Sequence, residues 1–330
     1  MSNVLRLPGT LYSLLHNISV QEKFLQKHIY PRLDAARKIN DGSLDEEDFK
    51  KITQYYGLAV PAILGEAICL LRGFKMSERE RTALTYQGAM TGLFDDFFDK
   101  RGLADDTVKT LIERPQELTG NNESEKLFLE FYSKFFQTAA DFSLSLKYQR
   151  KVYEVQIESR KQAIPGLNHD ELLDITIKKG GMSVLFYRSV MAHPFLPGEE
   201  EALYKMGGLM QFGNDVFDIY KDRNSNIYTI PTTTKKINDL RSLFKSVMHE
   251  SFAFAHRSGY QEKKVKRFLH YVSMCLCSRC FVFFDQLEKK ERSTNDVFAL
   301  QEYSRDDLVC DMEKASNKWK TIAHYSKMPV

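Results

Sequence analysis

The sequence predicts an all-α protein, with residues 1–330 forming one domain, and three observations support this prediction. Glycine and proline are sparse, and between Pro231 and Pro329 the only residue of either type is Gly259. Alternating apolar and polar runs bounded by hairpin turns, which would indicate strands, do not occur. Residue pairs that typically cap the start of a helix recur along the chain instead. We therefore expect long helices and no hairpins.

Length and composition limit the class of protein. The 330 residues are 43% hydrophobic, which is enough for a sizeable core. The net charge is +3, from 47 basic and 44 acidic residues, so no strongly basic surface for nucleic acid is indicated. The most apolar window, residues 56–71, is interrupted by Glu66, and no secretory signal opens the chain. We expect a cytoplasmic protein with no transmembrane segment and no nucleic-acid partner.

The first two predicted helices cover residues 10–28 and 43–71. Ser43 can cap the second helix together with Glu46, which follows three residues later. Pro61 lies inside this helix and is expected to kink it, because proline lacks the backbone N–H of a helical hydrogen bond.

A third helix is predicted to begin at Ser77, which Glu80 would help to cap, and to end near Gly102. Gly88 and Gly92 lie in its interior, where each glycine costs about 1 kcal/mol relative to alanine. Two such residues require a reason. Either they leave a hollow beside the acidic residues that follow, or they allow close packing of a neighbouring helix.

Further helices are predicted at residues 122–136, 143–158, 170–193 and 207–222. Lys178, Lys179, Gly180 and Gly181 interrupt the third of these. A glycine pair in mid-helix typically marks a break, which here would expose backbone groups beside two ammonium groups. The alternative is a plain turn between two helices.

Three of the five cysteines are close together, at Cys275, Cys277 and Cys280. Zinc sites of cysteine usually add a second cysteine pair or histidines. The surrounding residues 272–284 instead favour a buried helix, in which cysteine serves as a small apolar residue.

The first acidic motif comes near the end of the third helix, where three carboxylates interrupt an aromatic run. Asp95 and Asp99 are four residues apart and share a helix face, whereas Asp96 lies about 100° round from Asp95. Like charges at this spacing destabilise a helix, and more so beside buried phenylalanines. A hard divalent cation such as Mg²⁺ would compensate them. The alternative is a solvated helix end, partly neutralised by Lys100 and Arg101.

A second acidic motif follows 119 residues later, where Asn214, Asp218 and Asp222 recur at four-residue steps and form one ridge. Gly207 and Met210 continue this ridge backward, and the neighbouring residues are apolar or aromatic. A solvated face is again the alternative. Two such stripes together indicate facing helices that hold two or three Mg²⁺ ions on a substrate diphosphate. No nucleotide-binding glycine loop, hydrolase nucleophile elbow or zinc-protease motif occurs in the chain.

Both motifs resemble those of class I terpene synthases. Residues 95–99 read Asp-Asp-Phe-Phe-Asp and match the aspartate-rich motif Asp-Asp-x-x-Asp of that family. Residues 211–222 fit the pattern Gln-x-x-Asn-x-x-x-Asp-x-x-x-Asp of squalene and phytoene synthases, and a Tyr-x-x-Pro tail follows at residues 228–231. The resemblance covers residues 80–231 and implies a single helical bundle with a deep central cavity.

Three positions depart from the squalene-type pattern. Two family arginines are replaced by Gly92 and Phe217, and a family tyrosine falls near Ile175. Head-to-head condensation is therefore disfavoured. The resemblance implies a lyase that ionises one prenyl diphosphate to an allylic cation, as large-terpene synthases do. A squalene- or phytoene-type coupling enzyme remains an alternative, as does a helical binding protein without catalytic activity, and a homodimer stays open.

The resemblance also implies roles for individual residues. Asp96 would orient charge beside the metal ions, and the glycines and Met210 would shape the cavity or a helix break. The predicted metal ligands are Asp95, Asp99, Asn214, Asp218 and Asp222. The predicted diphosphate contacts are Lys178, Lys179 or Arg188, with Tyr303 and Arg305 as a closing pair for which Lys318, Lys320 and Tyr325 compete. The residues predicted to shape the cavity or break the helix are Gly88, Gly92, Gly180, Gly181 and Met210.

Overall fold

The computed structural model describes residues 3–99 and 105–330, without the side chains of Asp95, Phe98, Asp99 and Gln116. Every regular element in these residues is a helix, so the predicted all-α class is confirmed. Gly102, the predicted end of the third helix, lies outside the described residues.

We number the described helices in chain order. They are α1 (Leu7–His28), α2 (Tyr30–Ile39), α3 (Glu46–Arg72), α4 (Glu78–Asp99), α5 (Asp105–Glu113), α6 (Glu123–Thr138), α7 (Phe142–Ser159), α8 (His169–Ser189), α9 (Glu199–Phe217), α10 (Ile219–Asn224), α11 (Ile230–Thr233), α12 (Ile237–Arg257), α13 (Glu262–Ser293), α14 (Arg305–Leu308) and α15 (Ala315–Ser326).

The chain forms two compact units. The N-terminal unit contains Leu11–Tyr153 and Phe186–Pro194. The C-terminal unit contains Met1–Thr10, Glu154–Leu185 and Phe195–Val330. A single domain was expected from the sequence, and that expectation stays a prediction.

The core of the N-terminal unit forms where α4 packs on α6. Aromatic residues recur at helical spacing on α6, at Phe128, Phe131 and Phe135, and all three are fully buried. Phe97 of α4 meets Phe128 edge to face, with ring centroids 5.2 Å apart. Such a ring pair adds roughly 0.5–1.5 kcal/mol to the stabilisation that burial provides. This core positions the part of α4 that carries the first acidic motif.

Helix α3 contains two π-helical stretches, Lys51–Tyr55 and Val60–Gly65. The second begins beside Pro61, where the sequence predicted a kink. Proline removes the hydrogen bond to the carbonyl four residues earlier, which belongs to Gly57. Gln21 Nε2 donates to that carbonyl at 2.9 Å and restores its hydrogen bond. The wide turns absorb the proline without ending the helix.

The start of α3 also differs from the prediction. Asp45, not Ser43, caps this helix: its carboxylate accepts from Asp48 N at 2.9 Å, and Asp45 N donates to Asp48 Oδ2 at 2.8 Å. The predicted Ser43 cap is therefore wrong, because a carboxylate two residues later satisfies the same free backbone groups. The Ser43 hydroxyl instead accepts from Ser124 N at 3.0 Å.

The predicted cap of α4 is confirmed. Ser77 N donates to Glu80 Oε2 at 2.9 Å, and Glu80 N donates to Ser77 Oγ at 3.2 Å. Glu80 is 4% exposed, and its other oxygen accepts from Arg72 Nη2 and Ala192 N, both at 2.9 Å. Burial alone would raise the pKa of Glu80, but the hydrogen bonds from Ser77 and the charge of Arg72 outweigh burial and lower it.

The predicted break at Gly180 and Gly181 is wrong, because α8 is continuous through both residues. The pair permits close packing of α8 on α9 instead. A Cβ atom at Gly180 would lie 2.1 Å from Gly207 O, and one at Gly181 would lie 2.4 Å from the Tyr204 ring. Glycine occupies these positions because the two backbones touch there.

Helices α12, α13 and α15 complete the C-terminal unit, as the scarcity of glycine and proline in this part of the chain predicted. Cys277 and Cys280 of α13 are fully buried, and burial raises the pKa of Cys280 to about 12. These cysteines therefore pack as apolar residues, as the sequence indicated. Gly213 of α9 lets Leu276 approach, since a Cβ atom would lie 2.6 Å from Leu276 Cδ1.

In the part of the chain that the structure describes, two helices are long and apolar enough to cross a membrane by length and composition. Glu46–Arg72 has a window of mean hydropathy 1.4 that is 56% buried, and Glu262–Ser293 has one of 1.2 that is 78% buried. Core helices of globular proteins often meet the same criterion, so this is weak evidence. The absence of a transmembrane segment and the cytoplasmic location stay predictions.

Substituting Glu80→Gln should lower the free energy of unfolding by about 3 kcal/mol, because it leaves the buried Arg72 without its counter-charge. Since the pKa of Glu80 is lowered, this stabilisation is present above its ordinary value of 4.5 and is lost as the pH falls below it. Urea unfolding at pH 7 and at pH 3.5 measures both effects.

The matched control is Glu78→Gln, which alters an exposed residue in the first turn of the same helix. It should change the free energy of unfolding by less than about 0.5 kcal/mol. Equal effects of the two substitutions would contradict the role assigned to Glu80.

Candidate functional site

The first acidic motif lies in the N-terminal unit, in the last described turns of α4. The side chains of Asp95 and Asp99 lie outside the described residues, so their metal-binding role stays a prediction. The Asp96 side chain is almost fully buried, and its Oδ1 accepts a hydrogen bond from Lys51 Nζ at 2.5 Å. The charge of Asp96 is thus compensated within the unit, by a residue that no pattern in the sequence selects.

Gly88 and Gly92 bring α3 against α4. A Cβ atom at Gly88 would lie 2.6 Å from Tyr56 O, and one at Gly92 would lie 3.0 Å from Lys51 Cβ. The hollow proposed beside these glycines is therefore wrong, and the alternative of close helix packing holds. Gly88, Gly92 and Asp96 are four residues apart, so they share the face of α4 that meets α3.

The second acidic motif lies in the C-terminal unit, where α9 passes into α10. Asp218 N donates to Asn214 O, and Asp222 N donates to Asp218 O, both at 2.8 Å. Asp218 itself has φ −88° and ψ 4°, and it separates the two helices. The predicted ridge is therefore present but runs over two helices instead of one.

Two carboxylic acids of this motif have raised pKa values because they are buried. Burial raises the pKa of Asp215 to about 6, although Gln211 Nε2 and Thr176 Oγ1 each donate to it at 2.8 Å. Burial, together with the negative charges of Asp215 and Asp218, raises the pKa of Asp222 to about 8. The surroundings of Asp222 therefore favour its protonated form, and a bound cation would favour the carboxylate.

The oxygen donors of this motif fit magnesium. Asn214 is exposed, and its Nδ2 donates to Asp218 Oδ2 at 3.1 Å, which leaves the amide oxygen as the atom through which Asn214 can bind a cation. Amide and carboxylate oxygens are the ligands that magnesium prefers. The raised pKa of Asp222 results first from its burial and then from the negative charges of Asp215 and Asp218, and a bound cation would offset these effects.

Among the described side chains, which do not include those of Asp95 and Asp99, no group of three or more His, Cys, Asp or Glu is arranged to hold a metal ion. Magnesium typically takes only one or two protein carboxylates and completes its shell with water and phosphate. The fit of this motif to magnesium therefore rests on donor type and charge, with a phosphate ligand supplying further oxygens.

The two lysines predicted to bind diphosphate have different surroundings. Lys178 Nζ lies 2.6 Å from Asp174 Oδ2 and 3.3 Å from Glu158 Oε1, and these hydrogen bonds raise the pKa of Lys178. The positive charge of Lys179 instead lowers the pKa values of Asp215 and Asp222. Of these two lysines, Lys179 is therefore the one whose charge lowers both pKa values, and the charge of Lys221 also lowers that of Asp222.

Arg188 belongs to the N-terminal unit and is 1% exposed. Its Nη2 donates to His193 O at 3.2 Å and to Pro194 O at 3.4 Å. A buried guanidinium that bonds backbone carbonyls is the least suited of the three candidates to contact a diphosphate. The geometry therefore does not favour Arg188 in the role predicted for it.

Tyr303 and Arg305, the predicted closing pair, have different surroundings, and their role stays a prediction. The Tyr303 side chain is buried and its hydroxyl lies 2.6 Å from Thr294 Oγ1, whereas Arg305 is exposed in the short helix α14. Arg223, which follows the last residue of the second motif, donates to Tyr303 O at 2.7 Å. The segment before α14 is thus bound to α10 by a hydrogen bond from the Arg223 side chain to a backbone carbonyl, and not by the side chains of Tyr303 and Arg305.

Sequence reasoning missed Asp215, Thr176 and Lys51. Asp215 lies inside the second motif, and Gln211 four residues earlier was a usable signal. Thr176 and Lys51 come from other helices, so no spacing in the sequence could select them. Met210, placed on the same ridge by the sequence, is half-buried.

Scans against protein-family models and searches of curated proteins and of solved structures found no match for this chain. A relationship to terpene synthases stays a prediction, and it rests on the resemblance of the two motifs.

In the absence of divalent cations, the free energy of unfolding should fall as the pH rises from 5 to 7. The pKa of Asp222 is raised from 3.8 to about 8, so the folded protein holds a proton in this range that the unfolded chain has lost. One such group gives a slope of up to about 1.4 kcal/mol per pH unit. Urea unfolding in EDTA measures it, and Asp222→Asn should remove it.

Asp239→Asn is the control, because Asp239 is exposed on α12 of the same unit. This variant should keep the slope of the wild type. If Asp222→Asn also kept this slope, the raised pKa assigned to Asp222 would be wrong.

Proposed function

We propose that this protein is a magnesium-dependent class I terpene synthase. In this reaction a linear prenyl diphosphate ionises to an allylic cation and diphosphate, and the cation closes or rearranges and loses a proton to give a terpene. The observation that supports the proposal best is the second acidic motif. Its buried acids have raised pKa values, and its spacing matches that of squalene-type synthases.

The carboxylates of the second motif would bind cations in exchange for the proton of Asp222. Asn214, Asp218 and Asp222 supply oxygen ligands. Asp215, beside them in the sequence, accepts hydrogen bonds from Gln211 and Thr176. Magnesium bound there would neutralise phosphate oxygens and polarise the bond to the leaving diphosphate. Asp95 and Asp99 are the corresponding ligands in the first motif.

Lys179 is the residue we assign to the substrate diphosphate. Its charge already acts on Asp215 and Asp222, whereas Lys178 is neutralised by Asp174 and Glu158. A lysine that is not committed to a carboxylate can stabilise the negative charge that develops on the departing diphosphate.

Incubation with prenyl diphosphates of 10 to 35 carbons and Mg²⁺ should release diphosphate and give terpenes, identified by mass spectrometry. Asp95→Ala, Asn214→Ala and Asp218→Asn should each lower the rate by about 100-fold or more, because each removes a metal ligand. Chelation by EDTA should abolish release in the wild type.

Asp239→Asn again serves as the matched control and should keep the wild-type rate. Full activity in both Asp95→Ala and Asn214→Ala would contradict the assigned sites. A product with twice the carbon number of the substrate would instead identify a coupling enzyme. No Mg²⁺-dependent release from any of these substrates would leave a helical binding protein as the better account.

A further inference from the structure

The contact between Lys51 and Asp96 joins two helices of the N-terminal unit by a buried ion pair. The Lys51 side chain is 16% exposed and that of Asp96 is 2% exposed, and Nζ and Oδ1 are 2.5 Å apart. Among the described side chains, the other carboxylate near Lys51 belongs to Glu47, which is largely exposed and 3.9 Å away. Lys51 therefore pairs mainly with Asp96, the middle acid of the first motif.

The backbone around Lys51 is shaped for this contact. Lys51 opens the π-helical stretch Lys51–Tyr55, in which one turn of the helix is widened. Gly57 is required by that turn, since a Cβ atom there would lie 2.0 Å from Ile52 O. π-Helical turns of this kind are often found at functional sites.

Helix α4 is shaped for the same contact. Gly92 leaves room for the stem of Lys51, whose Cβ would lie only 3.0 Å from an added Cβ atom. One turn further along the same face, Asp96 receives the ammonium group. The glycine and the acid together thus form a slot for one lysine.

We infer that Lys51 is a positioning residue for the first acidic motif: it holds Asp96 against α3 and so fixes the segment of α4 that carries Asp95 and Asp99 for cation binding. Three carboxylates within five residues repel one another. Lys51 offsets the charge of the middle one, Asp96. The inference rests on the proposed function, because it assigns that motif to divalent cations.

The test measures binding of Mn²⁺, as a paramagnetic substitute for Mg²⁺, in the presence of inorganic diphosphate, by the EPR signal of free Mn²⁺. Lys51→Met should raise the dissociation constant at least tenfold, whereas Lys51→Arg, which keeps the charge, should stay within about threefold of the wild type. Lys50→Met alters the exposed neighbour and should leave the constant unchanged. Circular dichroism and the thermal midpoint establish that each variant is folded.

Asp96→Asn and the double variant separate positioning from direct metal binding. If Asp96 acts through Lys51, Asp96→Asn should weaken Mn²⁺ binding about as much as Lys51→Met, and the double variant should be no worse than either. Additive losses, or an Asp96→Asn loss much larger than that of Lys51→Met, would overturn the inference. These variants also decide the matter if Lys51→Met fails to fold.

The outcomes distinguish this inference from the proposed function. A wild type that converts prenyl diphosphates, with a folded Lys51→Met variant that binds Mn²⁺ normally, overturns the inference alone. A lower thermal midpoint with unchanged Mn²⁺ binding shows a structural ion pair and also overturns it. A wild type that neither binds Mn²⁺ with diphosphate nor converts any prenyl diphosphate overturns both.

Discussion

The second acidic motif places carboxylates among apolar residues of α9 and α10, and this buried acidity is the constraint that the rest of the structure must satisfy. Asp215 is almost completely buried, and Asp222 sits close enough to it and to Asp218 to share their repulsion. A folded protein can relieve such charge with a proton, a basic side chain or a metal ion. Lys221 and Lys179 offset only part of the effect of burial and repulsion, since the pKa of Asp222 still reaches about 8. Divalent cations bound together with a phosphate ligand would neutralise the negative charge that remains on these acids.

Both units use glycine to place their acids. In the C-terminal unit, Gly180 and Gly207 bring α8 and α9 into backbone contact, which lets Thr176 of α8 reach Asp215 of α9. In the N-terminal unit, Gly92 lets Lys51 reach Asp96. Each close approach of two helices brings a polar side chain of one helix within hydrogen-bonding distance of an acid on the other. The glycines that looked like breaks or hollows in the sequence are thus part of how the acids are held.

Features that depend on neighbours in the sequence could be predicted. The scarcity of glycine and proline gave the helical class, and the pair Ser77 and Glu80 gave the start of α4. The four-residue spacing of Asn214 and Asp218 placed both on one ridge, and the structure joins their side chains.

Features that depend on residues far apart in the chain could not be predicted from the sequence. Gln21, 40 positions from Pro61, donates to the carbonyl that the proline leaves without its helical partner, and the chain passes Pro61 in a π-helical turn. The partners of Asp96 and Asp215 come from other helices, and no periodicity within one helix encodes them. Glycine pairs are ambiguous for the same reason, because a break and a close approach have one sequence signature.

The central claim is that the second acidic motif binds divalent cations together with diphosphate. Anomalous diffraction from a crystal soaked with Mn²⁺ and inorganic diphosphate tests it most directly. The account predicts Mn²⁺ peaks within bonding distance of oxygens of Asn214, Asp218 and Asp222, each also bonded to diphosphate. A diphosphate bound elsewhere, or no Mn²⁺ peak beside these three residues, would contradict it.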